Sequence, residues 1–223
     1  MPTDTPPFAV SFVDGVTLDK WRRRWGERVP GTRLELTLVP DAEQVRALRA
    51  GEVAMAFVRD LEEREGLHVI PLYREVPVVV VGTEHPVAAY DEIPLEDLRD
   101  ELVLDDPGVS TALKVETVAA GTGVLLVPLS VARAHHRKDV VAVPVLGVPE
   151  SQVGLAWRTD TEEPLVETFI GIVRGRTERS SRGDTPPAEK KRPTRSTPPR
   201  PASGRGRQQP GRGPGGRGRP KRG

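Results

Sequence analysis

Residues 34–59 constrain this chain more than any other stretch. Leu34, Leu36 and Leu38 alternate with Glu35, Thr37 and Val39, the period of two that a β-strand imposes. Pro40 stops the ladder, and Asp41 stands where a helix cap is needed. Gln44, three residues on, completes an Asp-x-x-Gln capping box. Val45 and Leu48 share one helix face, Arg46 and Arg49 point outward, and Gly51 supplies a left-handed stop. The run from Val53 to Val58 reads as a buried strand suited to parallel pairing. The spacing predicts a right-handed βαβ unit. Both of its strands end at one sheet edge, so the loop at 39–43 and the turn at 58–60 lie side by side. Open α/β sheets receive ligands at such an edge.

The rest of the chain extends this pattern. Phe8, Val10 and Phe12 alternate as a first strand, Asp14-Gly15-Val16 turns it, and Thr17 is placed to cap a helix running to about Arg28. Leu18, Trp21 and Trp25 share the core face of that helix, while Arg22-Arg23-Arg24 forms a solvated one. Strands are expected at 67–72, 76–81, 102–104, 124–127, 140–145 and 153–157, with the four valines 78–81 central and covered on both faces. Helices are expected at 95–98, from Ser110 or Thr111 to Gly121, and at 129–135. A last amphipathic helix starts at Pro164, with Leu165, Phe169, Ile172 and Val173 on its core face. There is no internal repeat. Two βα regions joined near Gly82 and Pro149 predict two lobes with a double crossover.

Order and spacing of these segments resemble the effector-binding domain of LysR-type transcriptional regulators over residues 8–174. The resemblance rests on Glu43-Gln-Val-Arg-Ala-Leu-Arg-Ala-Gly-Glu-Val-Ala-Met-Ala-Phe57 and on Val118-Ala-Ala-Gly-Thr-Gly-Val-Leu-Leu-Val-Pro128. It implies an α/β fold of two Rossmann-like lobes in the type-2 periplasmic-binding-protein design. Lobe I is expected at 8–81 and 150–174, lobe II at 82–149. A small effector would bind between them. Carried onto this chain, the cleft would be lined by Asp14, Gly15 and Thr17, by Pro40 and Asp41, and by Arg59. Ser110, Thr122 and Gly123 would line it from the other lobe. The resemblance also admits a homodimer formed through this domain. Two departures stand out. No counterpart of the family's winged helix-turn-helix precedes Phe8 in these 223 residues. Between Asp106 and Ser110, where the family has a helix and a strand, only Pro107-Gly-Val109 remains, so the second lobe is shortened.

Two readings of Arg59 stand. Its strand-end position suits a bidentate grip on an anionic effector, and Asp60 or Glu62 offers it a plain ion pair. Asp41 reads first as a helix cap. His135-His136 reads as imidazoles near a helix C-terminus, without a convergent third metal ligand. Asp100-Glu101 and Asp105-Asp106 are carboxylate pairs without an accompanying nucleophile or base, and read as solvated. Gly-x-Ser-x-Gly and Walker patterns are absent, so the expectation is a non-enzymatic domain without cofactor or metal.

Charge divides the chain. Residues 174–223 carry 16 Lys and Arg against 3 Asp and Glu, and no Leu, Ile, Val, Met or aromatic residue follows Val173. The preceding 173 residues carry 17 basic against 29 acidic groups. A segment that cannot bury apolar surface is expected to be disordered, so 175–223 reads as a basic Arg/Gly/Pro-rich tail. Lys190, Lys191, Arg192, Arg205, Arg207, Arg212, Arg217 and Arg219 would meet nucleic acid weakly and without sequence preference. A protein driven by that tail, binding nucleic acid or acting as a scaffold, is the alternative to the effector-binding reading. The absence of cysteine and of any long apolar run predicts a cytoplasmic protein that does not enter a membrane.

Overall fold

The computed structural model describes residues 6–175. Strand β1 (Phe8–Val13) leads through helix α1 (Asp19–Arg28) to β2 (Leu34–Val39). The chain then passes a 3-10 turn (Asp41–Glu43) and the short helix α2 (Arg46–Arg49) into β3 (Met55–Arg59). Strand β1 pairs in parallel with both β2 and β3 and lies between them, so the crossover expected from residues 34–59 spans one intervening strand. Every residue of β3 is buried, as a continuous apolar run at the centre of a sheet requires. Strands β4 (Leu67–Glu75) and β5 (Pro77–Gly82) follow, the first in this sheet and the second outside it.

The second sheet is built on β5. Helix α3 (Thr111–Ala119) precedes β7 (Leu125–Pro128), after the two-residue strand β6 (Ile93–Pro94). Helix α4 (Leu129–Ala134) leads to β8 (Val140–Leu146), and β9 (Ser151–Arg158) returns to the first sheet before α5 (Leu165–Val173). The sheet orders are β2-β1-β3-β9-β4 and β6-β8-β5-β7. Two lobes joined by two crossings result, as the resemblance implies. The first crossing falls at Val76 rather than near Gly82, because the four valines 78–81 pair with β7 and β8 and not with the first lobe. They are central and buried, as expected.

Local expectations fared unevenly. Ser110 caps α3 through its hydroxyl, which accepts from the Leu113 N–H at 3.4 Å. Thr17 does not cap α1, whose N-cap is Leu18 without a side-chain bond. The Asp41/Gln44 capping box is not formed either, since both side chains are drawn to Arg59. Residues 102–104 form one parallel bridge, Val103 to Val124, instead of a strand. In α5 the buried face is Val166, Phe169, Ile170 and Ile172, while Leu165 and Val173 are half-buried.

Aromatic rings fill the first lobe. Trp25 stacks on Phe8 and Trp21 on Phe57, each with centroids 4.8 Å apart. Phe169 of α5 meets Phe8 at 5.6 Å, Trp25 at 5.7 Å and Phe57 at 6.1 Å, so it joins both stacked pairs. Such ring pairs add to the burial of their area. Phe169→Ala is therefore expected to cost about 3–5 kcal/mol, read as a lower urea midpoint. A loss below about 1 kcal/mol would show that the cluster collapses around the gap.

Candidate functional site

Because β1, β2 and β3 run parallel, their carboxyl ends share one edge, and Asp14, Pro40–Asp41 and Arg59 follow in turn. Arg59 ends the most buried strand, and its side chain is only 6% exposed. A cation so placed must be met by acceptors. Its Nε donates to Glu75 Oε2 at 2.9 Å, Nη1 to Asp41 Oδ2 at 2.9 Å, and Nη2 to the Asp14 carbonyl at 2.7 Å. Burial opposes the charged guanidinium, yet Asp41 and Glu75 outweigh it and hold the Arg59 pKa above its ordinary value. The expected partners Asp60 and Glu62 are not the ones used. Asp60 instead accepts from the Gln152 N–H at 2.6 Å, with a positive φ of 45°.

The backbone of Arg59 is gripped as well. Gln44 accepts from its N–H at 2.7 Å and donates to its carbonyl at 3.0 Å. Glu75 ends β4 immediately before the first crossing, and its second oxygen, Oε1, is buried without a protein partner. Burial, then the Glu75 charge, push the neighbouring Tyr73 phenol up to about 12, against the pull of Arg59. Thus one guanidinium ties together the loop after β1, the loop after β2 and the crossing strand.

The second lobe meets this edge through α4. The Leu129 N–H donates to the Val76 carbonyl at 2.9 Å, at the crossing itself. Nε2 of His135 lies 2.7 Å from Asp14 Oδ2. Gly15, at φ +82°, fits because it has no side chain: a Cβ would stand 2.6 Å from Ser130 Oγ and 2.7 Å from the Val131 nitrogen. Ser130 Oγ is buried without a protein partner.

Strand direction decides the remaining expectations. Pro128, at the end of β7, pairs with Pro77 beside the crossing, whereas Leu125 pairs with Val80. The loop before β7 therefore lies at the far end of lobe II, and Thr122 and Gly123 do not face lobe I. Gly123 instead packs on the Leu102 carbonyl, with which a Cβ would collide. A Cβ at Gly82 would come 3.4 Å from the Val118 carbonyl, so α3 ends at that far end and begins at the crossing side. Ser110, which caps the start of α3, therefore lies at the crossing end of lobe II. Thr17 is exposed on lobe I beyond the Asp14–Gly15 turn. Pro40 and Asp41 are exposed beside Arg59. The residues sequence reasoning missed are Gln44, Glu75, Ser130 and His135. Gln44, Glu75 and His135 find partners 15 or more residues away, Ser130 packs against Gly15, and the capping box and the histidine pair pointed to other roles. The paired acids elsewhere serve local ends, with Asp106 closing a turn onto the Gly108 N–H at 2.8 Å and Glu101 3.4 Å from His85 Nε2. The basic residues from Lys190 to Arg219 lie outside the described residues. Among the described residues no helix is long and apolar enough to cross a membrane.

The family described as the LysR substrate binding domain matches residues 9–114 and 108–178. This chain belongs to that family. It is 28% identical over 183 residues to the HTH-type transcriptional regulator MetR of Escherichia coli K12, covering 70% of this chain and 56% of that protein. It is 29% identical over 178 residues to the regulator TfdS of Cupriavidus pinatubonensis, covering 66% and 59%. The chain thus spans little more than half the length of these curated relatives. Among solved structures, the effector binding domain of BenM with its effector benzoate superposes with a TM-score of 0.65 at 20% identity, over 82% of this chain and 97% of that one. The reduced OxyR regulatory domain from Pseudomonas aeruginosa gives 0.64 at 20% identity, over 77% and 96%. These likenesses establish the two-lobed fold.

Removing the guanidinium would leave Glu75 charged, buried and unmatched. Arg59→Ala is expected to destabilise the LysR-family domain by about 3–5 kcal/mol. The pair Arg59→Met with Glu75→Leu should recover at least half of that loss, because both buried charges then go together. Chemical denaturation of the three proteins checks this. An Arg59→Ala protein as stable as the parent would refute the bracing role.

Proposed function

We propose that this domain binds a small-molecule effector between its lobes and serves a LysR-type transcriptional regulator as its sensing part. One observation carries the reading. The three strand-end loops of lobe I converge on Asp14, Asp41 and Arg59, and α4 of lobe II meets them through His135. An effector that bridges these elements binds one lobe arrangement more tightly than another, and shifts the population by that difference. Pairing of two copies through this domain belongs to the same proposal. Regulation of DNA then acts through whatever carries the DNA-reading part.

Arg59 supports the site from beneath. Three of its five N–H donors are engaged and its side chain is buried, so an anionic effector would approach it past Asp41, the exposed partner. The direct contacts in this reading are Asp14, Gly15, Asp41 and Ser110, with Thr17 and Pro40 at the rim. Thr122 and Gly123, at the far end of lobe II, are excluded from it.

A thermal-shift screen of small carboxylates and aromatic acids tests the reading. A specific binder at 100 times its Kd should stabilise the fold by about 2.7 kcal/mol. Calorimetry should then find affinity reduced roughly tenfold, about 1.4 kcal/mol, by Ser110→Ala and by Asp41→Ala, with Thr122→Ala unchanged. A binder weakened by Thr122→Ala and indifferent to the other two would move the site away from the lobe junction.

A further inference from the structure

The second lobe carries a groove that the effector reading does not use. Its sheet has two faces. Helix α3 covers one, laying Val115 and Val118 over Val80 and Leu125. The other is covered by 3-10 turns at Pro86–Ala89 and Leu95–Leu98, whose Val87 and Leu98 pack on Val79 and Val143. Between the second turn and Val103 the cover stops. The chain closes a tight turn at Asp106–Val109 and goes directly into α3 on the opposite face. A groove of about 770 Å³ remains, floored by Val79, Val124 and Leu126 and walled by Leu95, Val103 and Leu146. The three wall residues are each at least 40% exposed. A cluster of large exposed apolar side chains marks an interaction surface.

Its rim is acidic. Between Asp91 and Asp106 the chain holds eight carboxylates and a single basic residue, Arg99. Glu96 and Glu101 line the groove itself, and Arg99 is turned back onto the Glu96 carbonyl at 2.9 Å. An occupant must therefore offer apolar side chains to the floor and positive charge to the rim. The chain's own basic segment after Val173 has the charge and no large apolar residue. A second copy's own basic helix, α1, keeps Trp21 and Trp25 packed in lobe I and so has no apolar face to offer the groove.

We propose that this groove docks a basic amphipathic helix of a partner protein, with leucine-type residues at helical spacing in the groove and Lys or Arg over the carboxylates. That is helix-in-groove recognition, with affinity from apolar burial and orientation from charge.

The probe is a fluorescent peptide of about 18 residues, roughly 27 Å of helix, with leucines on one face and lysines on the other. Fluorescence polarisation with the full chain should give binding in the micromolar range that weakens with salt. Replacing the peptide's leucines by serine should weaken binding at least tenfold. Leu95→Ser with Leu146→Ser in the protein should weaken it at least fivefold. Both sites are exposed, so circular dichroism should report an unchanged fold. Glu96→Gln with Asp97→Asn should flatten the salt dependence. Equal binding by the serine peptide would reduce the surface to plain charge attraction and overturn the proposal. Wild-type affinity in the Leu95/Leu146 protein would do the same. So would displacement of the probe by a synthetic 176–223 peptide at comparable concentration, which would make the chain's own tail the occupant. A dimer in sedimentation that the leucine changes abolish would make a second copy the occupant, and would equally overturn it.

Discussion

A single buried cation sets the geometry of this domain. Arg59 is carried inward by the most buried strand of the first sheet, and a guanidinium there is tolerated only if its donors are matched. The match comes from three separate pieces of chain: the loop after β1, the loop after β2 and the end of β4. None of these is near another in sequence, and each belongs to a different connection. The ion pair with Glu75 is worth little as net stability, since both charges were taken out of water to form it. Its effect is positional. With Glu75 held, the main chain enters the crossing at Val76 at a fixed place, and the second lobe hangs from that place.

Most of the fold was legible because it follows from periodicity. The alternation at 34–39, the apolar run at 53–58 and the four valines at 78–81 each became the strand they predicted. Even the lobe design followed from the order of these segments. What failed were statements about side chains at element ends. Asp41 and Gln44 fit a capping box by spacing, and capping offers about 1 kcal/mol. The buried guanidinium of Arg59 and its main-chain N–H and carbonyl offered them stronger bonds, and tertiary demand overrode the local motif. Thr122 and Gly123 failed for a different reason. Their position depends on β7 running antiparallel to β5, a pairing that no local pattern in residues 118–128 states.

The shortened second lobe shows what the missing segment does. Among the described residues its sheet has four strands, one of them two residues long, and its two faces are covered unequally. A unit that small buries a limited fraction of its surface and is marginal alone. It leans on lobe I at the crossings and through α4, where Gly15 lies against Ser130 and Val131. That close approach is possible only without a side chain at position 15. Leu95, Val103 and Leu146 remain exposed on the second lobe's thinly covered face.

Asp14 links the two arrangements. Its carbonyl accepts from Arg59 and its carboxylate meets His135 at 2.7 Å, so one residue touches the brace of lobe I and the helix of lobe II at once. A shift of α4 cannot leave Asp14 where it is without breaking the His135 contact. A shift of Asp14 in turn removes an acceptor from Nη2 of a buried cation. Packed interiors respond to such conflicts by switching between discrete arrangements rather than deforming smoothly. Asp14 is thus one of the residues through which the lobes constrain each other, beside Gly15 against Ser130 and Val131.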